Sequence, residues 1–410
     1  MKILFVCHRL PFPPNRGGKI RPFNMIQHLS RKHEVVVASL AETEQELRDG
    51  AGLEKHCVEV IAELLPKPVR WRQACMALFT KEPSSVAYFR SSDLHRRVQQ
   101  KLREQKFDCA IVHCAFVAQY VVGWEAGLRW LDYGDLDSVK WAEYGEHRVF
   151  PLSLGYHLEA KKLRKYEAKL AGLFQQCTVT TQGELDTYAS LGASTPCRVI
   201  PNGVDASYFS RPVQGPTYSR VIAFLGRMDY YPNIDGILYF VHDIFPIIQK
   251  AIPDAQLRVI GSNPSQRIRN LARIAGVMVT GHVPDVRPYL ADAAVAIAPL
   301  RLARGTQNKI LESMAMGIPV VATPQAAKGI QAVPGTHLLV AGTPQAFAEQ
   351  VASLLQRIET RKILSQEARK QVERMHHWPA SMEIMDEVLT QALSRFDRHH
   401  RPHNTSPKIF

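Results

Sequence analysis

Short runs of apolar, largely β-branched residues alternate along the chain with stretches whose apolar positions recur every three or four residues. Because the runs show no polar alternation, they predict parallel strands covered on both faces, and the stretches between them predict helices. The first series has predicted strands at 3–7, 34–40 and 109–113 and helices at 22–31 and 93–105. The second has strands at 221–225, 257–260, 277–280, 294–298 and 319–323 and a helix at 234–250. This rhythm predicts two doubly wound α/β domains.

The two series are separated by residues 206–216, which are rich in turn-forming residues and predict a linker. The predicted first domain therefore covers 1–210 and the second covers 217–380. A helix with apolar spacing, at about 381–396, is predicted to pack back on the first domain. Residues 397–410 lack a core pattern and are predicted to be disordered.

The chain has 410 residues, enough for two cores, and a formal net charge of +13 that favours phosphorylated ligands or an acidic membrane surface. No nucleic-acid-binding motif accompanies this charge, so nucleic acid is not expected as a partner. The seven cysteines are scattered without a CxxC pair, which predicts reduced thiols in the cytosol and neither disulfides nor a metal site. The first apolar run is too short for a signal peptide, and no later run reaches the length of a membrane span.

A pair of glycines, Gly17 and Gly18, follows the first predicted strand and precedes a helix. Paired glycines let backbone amides approach an anion, and the positive end of a helix favours negative charge there. The alternative is a turn that simply needs two glycines. No GxGxxG sequence follows the first strand of either series, which argues against a dinucleotide-dependent oxidoreductase.

A second candidate anion site lies in the second series. Arg227 stands at a strand end, where its planar fork of donors suits phosphate, although it could equally be a surface arginine paired with an acid. Residues 304–323 read as a loop, a helix and a strand, so loop amides at the positive helix end, with Lys309, predict a diphosphate site. Glu312, one turn into the helix, is placed to accept hydrogen bonds from ribose hydroxyls. The donor-binding residues predicted here are Arg304, Gly305, Thr306, Gln307, Asn308 and Glu312.

Four segments span both predicted domains and carry a family resemblance: "PPNRGGKIRPFNMIQHLSRKHEVVV", "RVIPNGVDASYF", "FLGRMDYYPNIDG" and "NKILESMAMGIPVVAT". In them the chain resembles the retaining GT-B glycosyltransferases of group 1, also called family 4-like. The resemblance implies an α/β GT-B fold, in which two doubly wound Rossmann-like domains face each other across a deep interdomain cleft. The branch that the chain most resembles is that of sugar transferases accompanying exopolysaccharide and PEP-CTERM/exosortase systems.

The resemblance implies a hexosyltransferase-type enzyme that moves a sugar from a nucleotide-diphosphate donor with retention of configuration. It implies no obligatory metal and no obligatory cofactor, and the nucleotide-diphosphate sugar is the substrate. By position, Gly18, with Gly17 beside it, would approach the diphosphate. Arg227 and Lys309 would neutralise the leaving group, and Glu312 would hold the ribose. Most of the catalysis is then expected from cations and amides placed in advance.

The chain departs from the family pattern in its second domain. The first of the family's two glutamates is replaced by Arg304, so contacts with the donor sugar must be made differently. The family's second basic residue falls at Asn233, for which Lys309 is the residue expected to compensate.

A third departure lies in the first domain, where Gly134 replaces a histidine that many members carry near the reacting carbon. Asp135 or Asp137 is expected to act as a base or as a hydrogen-bond acceptor for the sugar. The alternative is that both aspartates cap the helix beginning near Ser138. His113, at another strand end, is a rival polar contact, although such a histidine is more commonly packed in a core.

Acceptor binding is assigned to the first domain. Arg70, Trp71 and Arg72 lie in an amphipathic stretch, and a second basic helix runs through 161–166. Either could touch anionic lipid, as expected for a glycan or polyprenyl-linked acceptor made at the cytoplasmic leaflet. The protein is thus predicted to be cytoplasmic or peripheral at the inner face of a bacterial membrane. The alternative is that both stretches are solvated helix faces.

Three classes of function remain open. A glycosyltransferase fits the motifs best. A GT-B-like sugar-nucleotide epimerase would use the same sites, but it needs acid and base groups around the sugar that the sequence does not place. A catalytically inactive scaffold that binds nucleotide sugars is the third class, because polar family positions are replaced. Donor turnover with release of nucleotide diphosphate separates the first class from the other two.

Overall fold

The computed structural model describes residues 1–210 and 219–400 and contains two compact units. Unit 1 comprises Met1–Ile200 and the chain from Met382 onward, and unit 2 comprises Pro201–Ser381. The chain is therefore divided earlier than the sequence-based boundary after residue 210, and part of the predicted linker lies outside the described residues. None of the described helices is long and apolar enough to cross a membrane.

Unit 1 is built on a seven-stranded parallel sheet with the order β3-β2-β1-β4-β5-β6-β7. Strands β1, β2, β4 and β5 are almost fully buried, as expected for apolar runs covered by helices on both faces. The strands are β1 (Lys2–Cys7), β2 (Glu34–Ala41), β3 (Glu59–Leu64), β4 (Cys109–His113), β5 (Leu128–Gly134), β6 (Gln176–Val179) and β7 (Cys197–Val199).

The helices of unit 1 connect these strands and begin or end near the sheet edges. They are α1 (Gly17–Leu29), α2 (Glu44–Gly50), α3 (Lys67–Ala77), α4 (Ser84–Tyr88), α5 (Ser92–Glu104), α6 (Asp137–Glu146), α7 (Leu152–Ala171) and α8 (Gln182–Ala189), with short 3-10 helices at Ala51–His56 and Ala115–Tyr120.

Unit 2 contains a six-stranded parallel sheet with the order β10-β9-β8-β11-β12-β13. Its strands are β8 (Val221–Leu225), β9 (Gln256–Ile260), β10 (Val277–Val279), β11 (Val295–Ala298), β12 (Val320–Ala322) and β13 (Leu339–Val340). Its helices are α9 (Tyr231–Tyr239), α10 (Phe245–Ala251), α11 (Gln266–Arg269), α12 (Arg287–Leu290), α13 (Asn308–Ala315), α14 (Pro324–Ala327), α15 (Pro344–Gln356) and α16 (Ile358–Met375), with a π-helix at Phe240–Ile244 and a 3-10 helix at Asn270–Arg273. Helix α17 (Trp378–His400) begins in unit 2, and its residues from Met382 belong to unit 1.

Each sheet has one point where the strand order reverses. In unit 1 the chain adds β2 and β3 on one side of β1 and then returns to place β4 on the other side. In unit 2 the same happens between β8 and β11. In open parallel sheets, ligands bind outside the carboxyl ends of the strands at such reversal points. A ligand-binding site is therefore expected at the loops after β1, β4, β8 and β11.

Two sequence-based predictions of elements need correction. The predicted helix at 234–250 is divided into α9, the π-helix and α10, since a π-helix widens the turns between them. The tail predicted to be disordered from residue 397 is helical as far as His400, and residues 401–410 lie outside the described residues.

Candidate functional site

The predicted donor residues of unit 2 follow the two strands that flank the reversal point. Arg227 comes just after β8, and the loop that leads into α13 comes after the neighbouring β11. Because the two strands are parallel, both connections leave from the same edge of the sheet. The fold therefore brings together residues that are distant in sequence, as the contact between Lys309 and Asn233 shows with its separation of 76 residues.

Arg227 is half-exposed, and its guanidinium binds the Asp229 carboxylate through both Nε and Nη2. The alternative foreseen for this arginine, a pairing with a nearby acid, is thus observed. A Cβ at Gly226, the residue before Arg227, would lie 2.6 Å from Nδ2 of Asn233, so a larger residue there would displace that side chain. The end of β8 is therefore in close contact with α9 beside Arg227.

Asn233 joins Arg227 to Lys309. Its Nδ2 donates to the backbone carbonyl of Arg227 at 2.8 Å, and its Oδ1 accepts a hydrogen bond from the Lys309 ammonium. The ammonium also lies over the Phe224 ring, 4.8 Å from its centroid, which is a cation–π contact. The lysine is thus held beside Asn233, the position where the sequence resemblance implied a second basic residue.

Lys309 and Glu312 lie three positions apart on α13, and both have strongly perturbed acidities. Burial lowers the pKa of Lys309 to about 7, against a smaller opposing effect of Glu312. Burial raises the pKa of Glu312 to about 7, against a smaller opposing effect of Lys309. Neither Glu312 oxygen has a hydrogen-bond or ion-pair partner among the residues that the structure describes. Perturbed acidities of this kind are concentrated at functional sites.

The loop before α13 presents further donors. Gly305 adopts a φ of 58°, the left-handed region that glycine favours, and Gln307 folds back so that its Nε2 donates to the Arg304 carbonyl at 2.8 Å. The Thr306 hydroxyl is buried and has no hydrogen-bond partner within 1–210 and 219–400. Gln307 is the N-cap of α13 and makes no capping bond with its side chain, so the first amides, beginning at Asn308, keep their donors.

In unit 1, the glycine pair begins α1. Gly17 is the first helical residue, and Arg16 before it makes no capping bond with its side chain. A Cβ at Gly18 would lie 3.7 Å from Nε2 of His8, an ordinary contact distance, so packing does not demand a glycine there. The next residue, Lys19, is buried and bound to Glu46 at 2.8 Å. The structure thus leaves the first two amides of α1 as the donors of this loop.

A buried cluster at the same edge of unit 1 was not foreseen as a unit. Asp132, in β5, accepts hydrogen bonds from Arg21 Nε and Nη2 at 2.9 and 2.7 Å and from the Thr178 hydroxyl at 2.8 Å. Nδ1 of His113 lies 2.7 Å from Oδ2 of the same carboxylate. Burial alone would raise the pKa of Asp132, but the Arg21 charge and these hydrogen bonds outweigh burial and hold the pKa well below its usual range.

The imidazole of His113 lies near two other residues of interest. Its ring centroid is 5.8 Å from that of His8, which follows β1, so the two rings flank the reversal point of unit 1. A Cβ at Gly134, whose φ is 69°, would lie 3.7 Å from Cε1 of His113. His113, for which a core role was the alternative, is therefore buried and paired with Asp132, and its ring lies against Gly134.

The two aspartates named as catalytic candidates differ in environment. Asp135 accepts a hydrogen bond from the Thr180 hydroxyl at 2.7 Å, and burial raises its pKa above the usual range. Asp137 is the first residue of α6 and pairs with Lys140 at 2.8 Å. The capping alternative is not observed, because the N-cap of α6 is Leu136, which makes no capping bond with its side chain.

The predicted acceptor and membrane stretch needs one correction. Arg70 is buried, with Nε donating to the Leu65 carbonyl at 2.6 Å and Nη2 donating to the Ala41 carbonyl at 3.1 Å. Arg70 is therefore removed from the predicted surface. Trp71 and Arg72, the next two residues, are exposed. The sequence Arg-Trp-Arg at 70–72 did not indicate which of the three side chains is buried, since a tryptophan is usually the more buried residue type.

Within residues 1–210 and 219–400, no three His, Cys, Asp or Glu side chains are grouped as metal ligands would be. The residues suited to hold a ligand are instead cations, amides and one carboxylate.

Comparison with known proteins bears on the nature of these ligands. Residues 219–357 match the protein family described as "Glycosyl transferases group 1". This range includes Arg227, Asn233 and the loop and helix that carry Lys309 and Glu312. No curated protein sequence gave a significant match.

Solved structures with a similar fold cover almost the whole chain. Sucrose-phosphate synthase from Thermosynechococcus elongatus has 16% identity and a TM-score of 0.69, over 96% of this chain and 100% of that one. Anabaena HepE, solved with UDP and glucose, has 14% identity and a TM-score of 0.69, over 95% and 100%. A point mutant of S. aureus TarM, solved with Fondaparinux, alpha-GlcNAc-glycerol and UDP, has 11% identity and a TM-score of 0.66, over 96% and 99%.

At these identities the similarity shows the fold, and it confirms the predicted GT-B class with two parallel-sheet domains. Together with the group 1 match over residues 219–357, the fold supports a glycosyltransferase enzyme.

Proposed function

We propose that the chain transfers a sugar, with retention of configuration, from a nucleotide-diphosphate donor bound at the reversal point of unit 2. The observation that carries the proposal is the linked arrangement of Arg227, Asn233 and Lys309 at this edge, with the unpartnered carboxylate of Glu312 one turn further along α13. Cations and amides fit a diphosphate, and a carboxylate with free acceptor positions fits the two hydroxyls of a ribose.

In this proposal the cations act on the leaving group. As the bond to the sugar breaks, negative charge grows on the diphosphate, and Arg227, Lys309 and the first amides of α13 are already placed to stabilise it. Arg227 must exchange its Asp229 partner for phosphate oxygens, which costs little because that ion pair is half-exposed. Lys309, whose pKa burial lowers to about 7 in the free protein, becomes more fully protonated when the donor binds, because the diphosphate adds negative charge beside it.

Unit 1 is proposed to serve the diphosphate through Gly17 and Gly18 and the reacting sugar through an aspartate. Asp135 suits a general base better than Asp137, because burial raises its pKa towards the working range while Asp137 is paired with Lys140. The loop donors of Arg304, Gly305 and Thr306 are proposed to contact the donor where the family has its first glutamate.

UDP is the first nucleotide to test, because the HepE and TarM structures contain UDP. The acceptor is proposed to be a glycan or a polyprenyl-linked sugar in the assembly of an exopolysaccharide. A lipid-linked acceptor would bring the enzyme to the inner face of a bacterial membrane, where its net charge of +13 suits anionic lipid.

The proposal is tested by incubating the protein with a panel of UDP-, GDP- and ADP-sugars, with and without extracts of polyprenyl-linked glycan. Nucleotide diphosphate release that depends on acceptor, with a product whose anomeric configuration by NMR matches that of the donor, is the expected result. Interconversion of donor sugars without release would indicate the epimerase, and binding without either reaction would indicate the scaffold. An inverted product would contradict retention.

A further inference from the structure

Large apolar side chains are exposed together on one side of unit 1. Phe79 is 93% exposed, Val149 81% and Phe150 78%, although such side chains are usually buried. They belong to two segments of sequence, one at the end of α3 and one that leads into α7. We define the apolar ridge as the exposed residues Leu78, Phe79, Val149, Phe150, Leu152, Leu154 and Leu158.

Hydrogen bonds hold the two segments next to each other. Lys162, on α7, donates through Nζ to the carbonyls of Ala77 and Leu78 at 3.0 and 3.1 Å, so this turn of α7 lies against the end of α3. Glu159, also on α7, is buried and accepts from the amides of Ser84 and Ser85, both at 2.8 Å. The neighbouring chain on either side of Leu78 and Phe79 is therefore anchored to α7.

The geometry of α7 makes the ridge continuous. Leu154, Leu158 and Lys162 are spaced four residues apart and so lie on one face of the helix, with Leu158 one turn from the lysine that contacts Leu78. From residue 154 to residue 162 this face runs roughly 12 Å at about 1.5 Å per residue. The ridge thus extends from the end of α3 along this face of α7 to Leu154, and the exposed Leu152 and Phe150 follow within the next four residues at the start of the helix. Contiguous exposed apolar surface of this kind marks a docking site.

Charge identifies the occupant. Four exposed cations flank the ridge: Arg72 and Lys81 beside the α3 segment, and Lys161 and Lys165 on the same face of α7 as Leu158. None of the four has an ion-pair partner among the residues that the structure describes. Apolar side chains surrounded by unpaired cations fit the interface of a bilayer with anionic headgroups. A second copy of the chain fits poorly, because its own four cations would face these.

We propose that the apolar ridge and its four flanking cations dock unit 1 on an anionic lipid bilayer, with Phe79 and Phe150 inserted among the acyl chains. This docking surface rests on the proposed function and deepens it, because it would hold the enzyme at a lipid-linked acceptor. It also revises the sequence-based surface: Arg70 is excluded, Arg72 is kept among the cations, and residues 149–158 are added.

The test is co-sedimentation of the full chain with vesicles of phosphatidylglycerol and phosphatidylcholine, compared with phosphatidylcholine alone. The double variant Phe79→Ser/Phe150→Ser removes the two most prominent phenylalanines without touching the core. The matched control is Met278→Ser/Ile363→Ser, which removes exposed apolar residues of unit 2. We expect the ridge variant to bind anionic vesicles about tenfold more weakly or worse, and the control to bind like the unmodified chain.

A second variant, Lys161→Glu/Lys165→Glu, separates the charge contribution and should lose the preference for phosphatidylglycerol. Vesicle binding that is lost at high salt but is equal in the ridge variant and the unmodified chain would overturn the proposal. The absence of any vesicle binding would overturn it as well. A dimer in solution that the ridge variant converts to monomer, without vesicle binding, would assign the ridge to self-association instead. Binding of the nucleotide-sugar donor, measured by calorimetry without lipid, should be unchanged in the ridge variant, so failure here and failure of the proposed function are distinguishable.

Discussion

The carboxylate of Asp132 shows how single residues organise the sheet edge of unit 1. It binds side chains from three different elements: Arg21 of α1, His113 at the end of β4 and Thr178 of β6. A buried carboxylate is stable only when its charge and its acceptor positions are satisfied, and here both are. The same residue orients His113, whose ring lies beside Gly134, the residue immediately before Asp135.

Replacing Asp132 with asparagine should lower the free energy of unfolding by about 3–5 kcal/mol, because the buried charge of Arg21 then loses the carboxylate that neutralises it. Urea unfolding at neutral pH measures the change. The control is Asp386→Asn, whose partners Lys32 and His28 lie nearer the surface, and which should cost about 1 kcal/mol or less. Because the folded pKa of Asp132 is lowered, its contribution is present above the unfolded pKa of about 3.9 and is lost as pH falls below it. Equal costs for the two variants would contradict this role.

Lys309 and Glu312 predict a bell-shaped pH dependence of donor affinity. Above pH 7 Lys309 loses its charge and attracts the diphosphate less, and below pH 7 Glu312 becomes protonated and accepts ribose hydroxyls less well. Each limb should approach about tenfold per pH unit. Calorimetric titration with the UDP-sugar that binds measures both limbs.

Two conservative variants assign the limbs. Lys309→Arg should remove the alkaline limb, since arginine stays protonated, and Glu312→Gln should remove the acid limb. The shapes of the profiles are compared, since either variant also changes the affinity itself. A flat profile in the unmodified chain would show that neither group titrates on binding.

At the scale of elements, the helices at the reversal points differ from several others in how they begin. Helices α2, α5, α8 and α15 have Ser or Thr N-caps whose side chains accept a backbone amide. Helices α1 and α13 have Arg16 and Gln307 as N-caps, without such a bond. Their first amides therefore keep donors for a ligand. Other helices, among them α3 and α6, also begin without a side-chain cap, so an uncapped start allows a ligand at α1 and α13 but does not by itself identify the site.

In the connection from β8 to α9, adding a single methyl group at Gly226 is expected to weaken donor binding. Gly226→Ala would place a Cβ within 2.6 Å of Nδ2 of Asn233 and push that side chain away from Arg227 and Lys309. Donor affinity should fall about tenfold to a hundredfold, the range expected when hydrogen bonds to a charged group are lost. Calorimetry with the same UDP-sugar measures the fall. Gly342→Ala is the control in the same unit, because its nearest neighbouring atom would be 3.8 Å away.

The sequence was sufficient to predict the elements and site residues that are determined within one short segment of the chain. The core of unit 2 follows from unbroken apolar runs, and Lys309 and Glu312 were found because the loop, the helix start and both side chains lie within the short segment 304–312. Strands β3, β5, β6, β7 and β13 were not predicted, since they are short or contain charged residues, as in Glu59–Leu64 and Leu128–Gly134. The Asp132 cluster was missed for a different reason: Arg21 and Thr178 are 111 and 46 residues away from it, and only the fold joins them.

At the scale of the whole molecule, the two units have the same reversal-point architecture and different chemistry. Unit 2 carries Arg227, Lys309 and Glu312, all within the range that matches the group 1 family. Unit 1 carries the glycine pair, His113 and the apolar ridge. This division supports a donor site in unit 2 and an acceptor side in unit 1. A donor-binding role for Gly17 and Gly18 is a separate prediction with a test of its own.

Hydrogen exchange with and without the bound UDP-sugar tests this division across the chain. Protection is expected at 226–233 and 304–312 in unit 2 and at the first amides of α1 in unit 1, because a bound anion slows exchange of the amides that it accepts from. The apolar ridge, as a lipid surface, should show no change. Protection confined to unit 2 would remove the glycine pair from the donor site.

The central claim is a nucleotide-diphosphate site made by Arg227, Lys309 and Glu312, and direct binding tests it most simply. The measurement is calorimetric titration of the full chain with UDP-, GDP- and ADP-sugars, repeated with Arg227→Ala and Glu312→Ala and with the exposed controls Arg273→Ala and Glu349→Ala. We predict that one nucleotide binds with micromolar affinity, that both site variants weaken it at least about tenfold, and that the controls do not. No binding of any nucleotide sugar, or binding that survives both site variants, would contradict the claim.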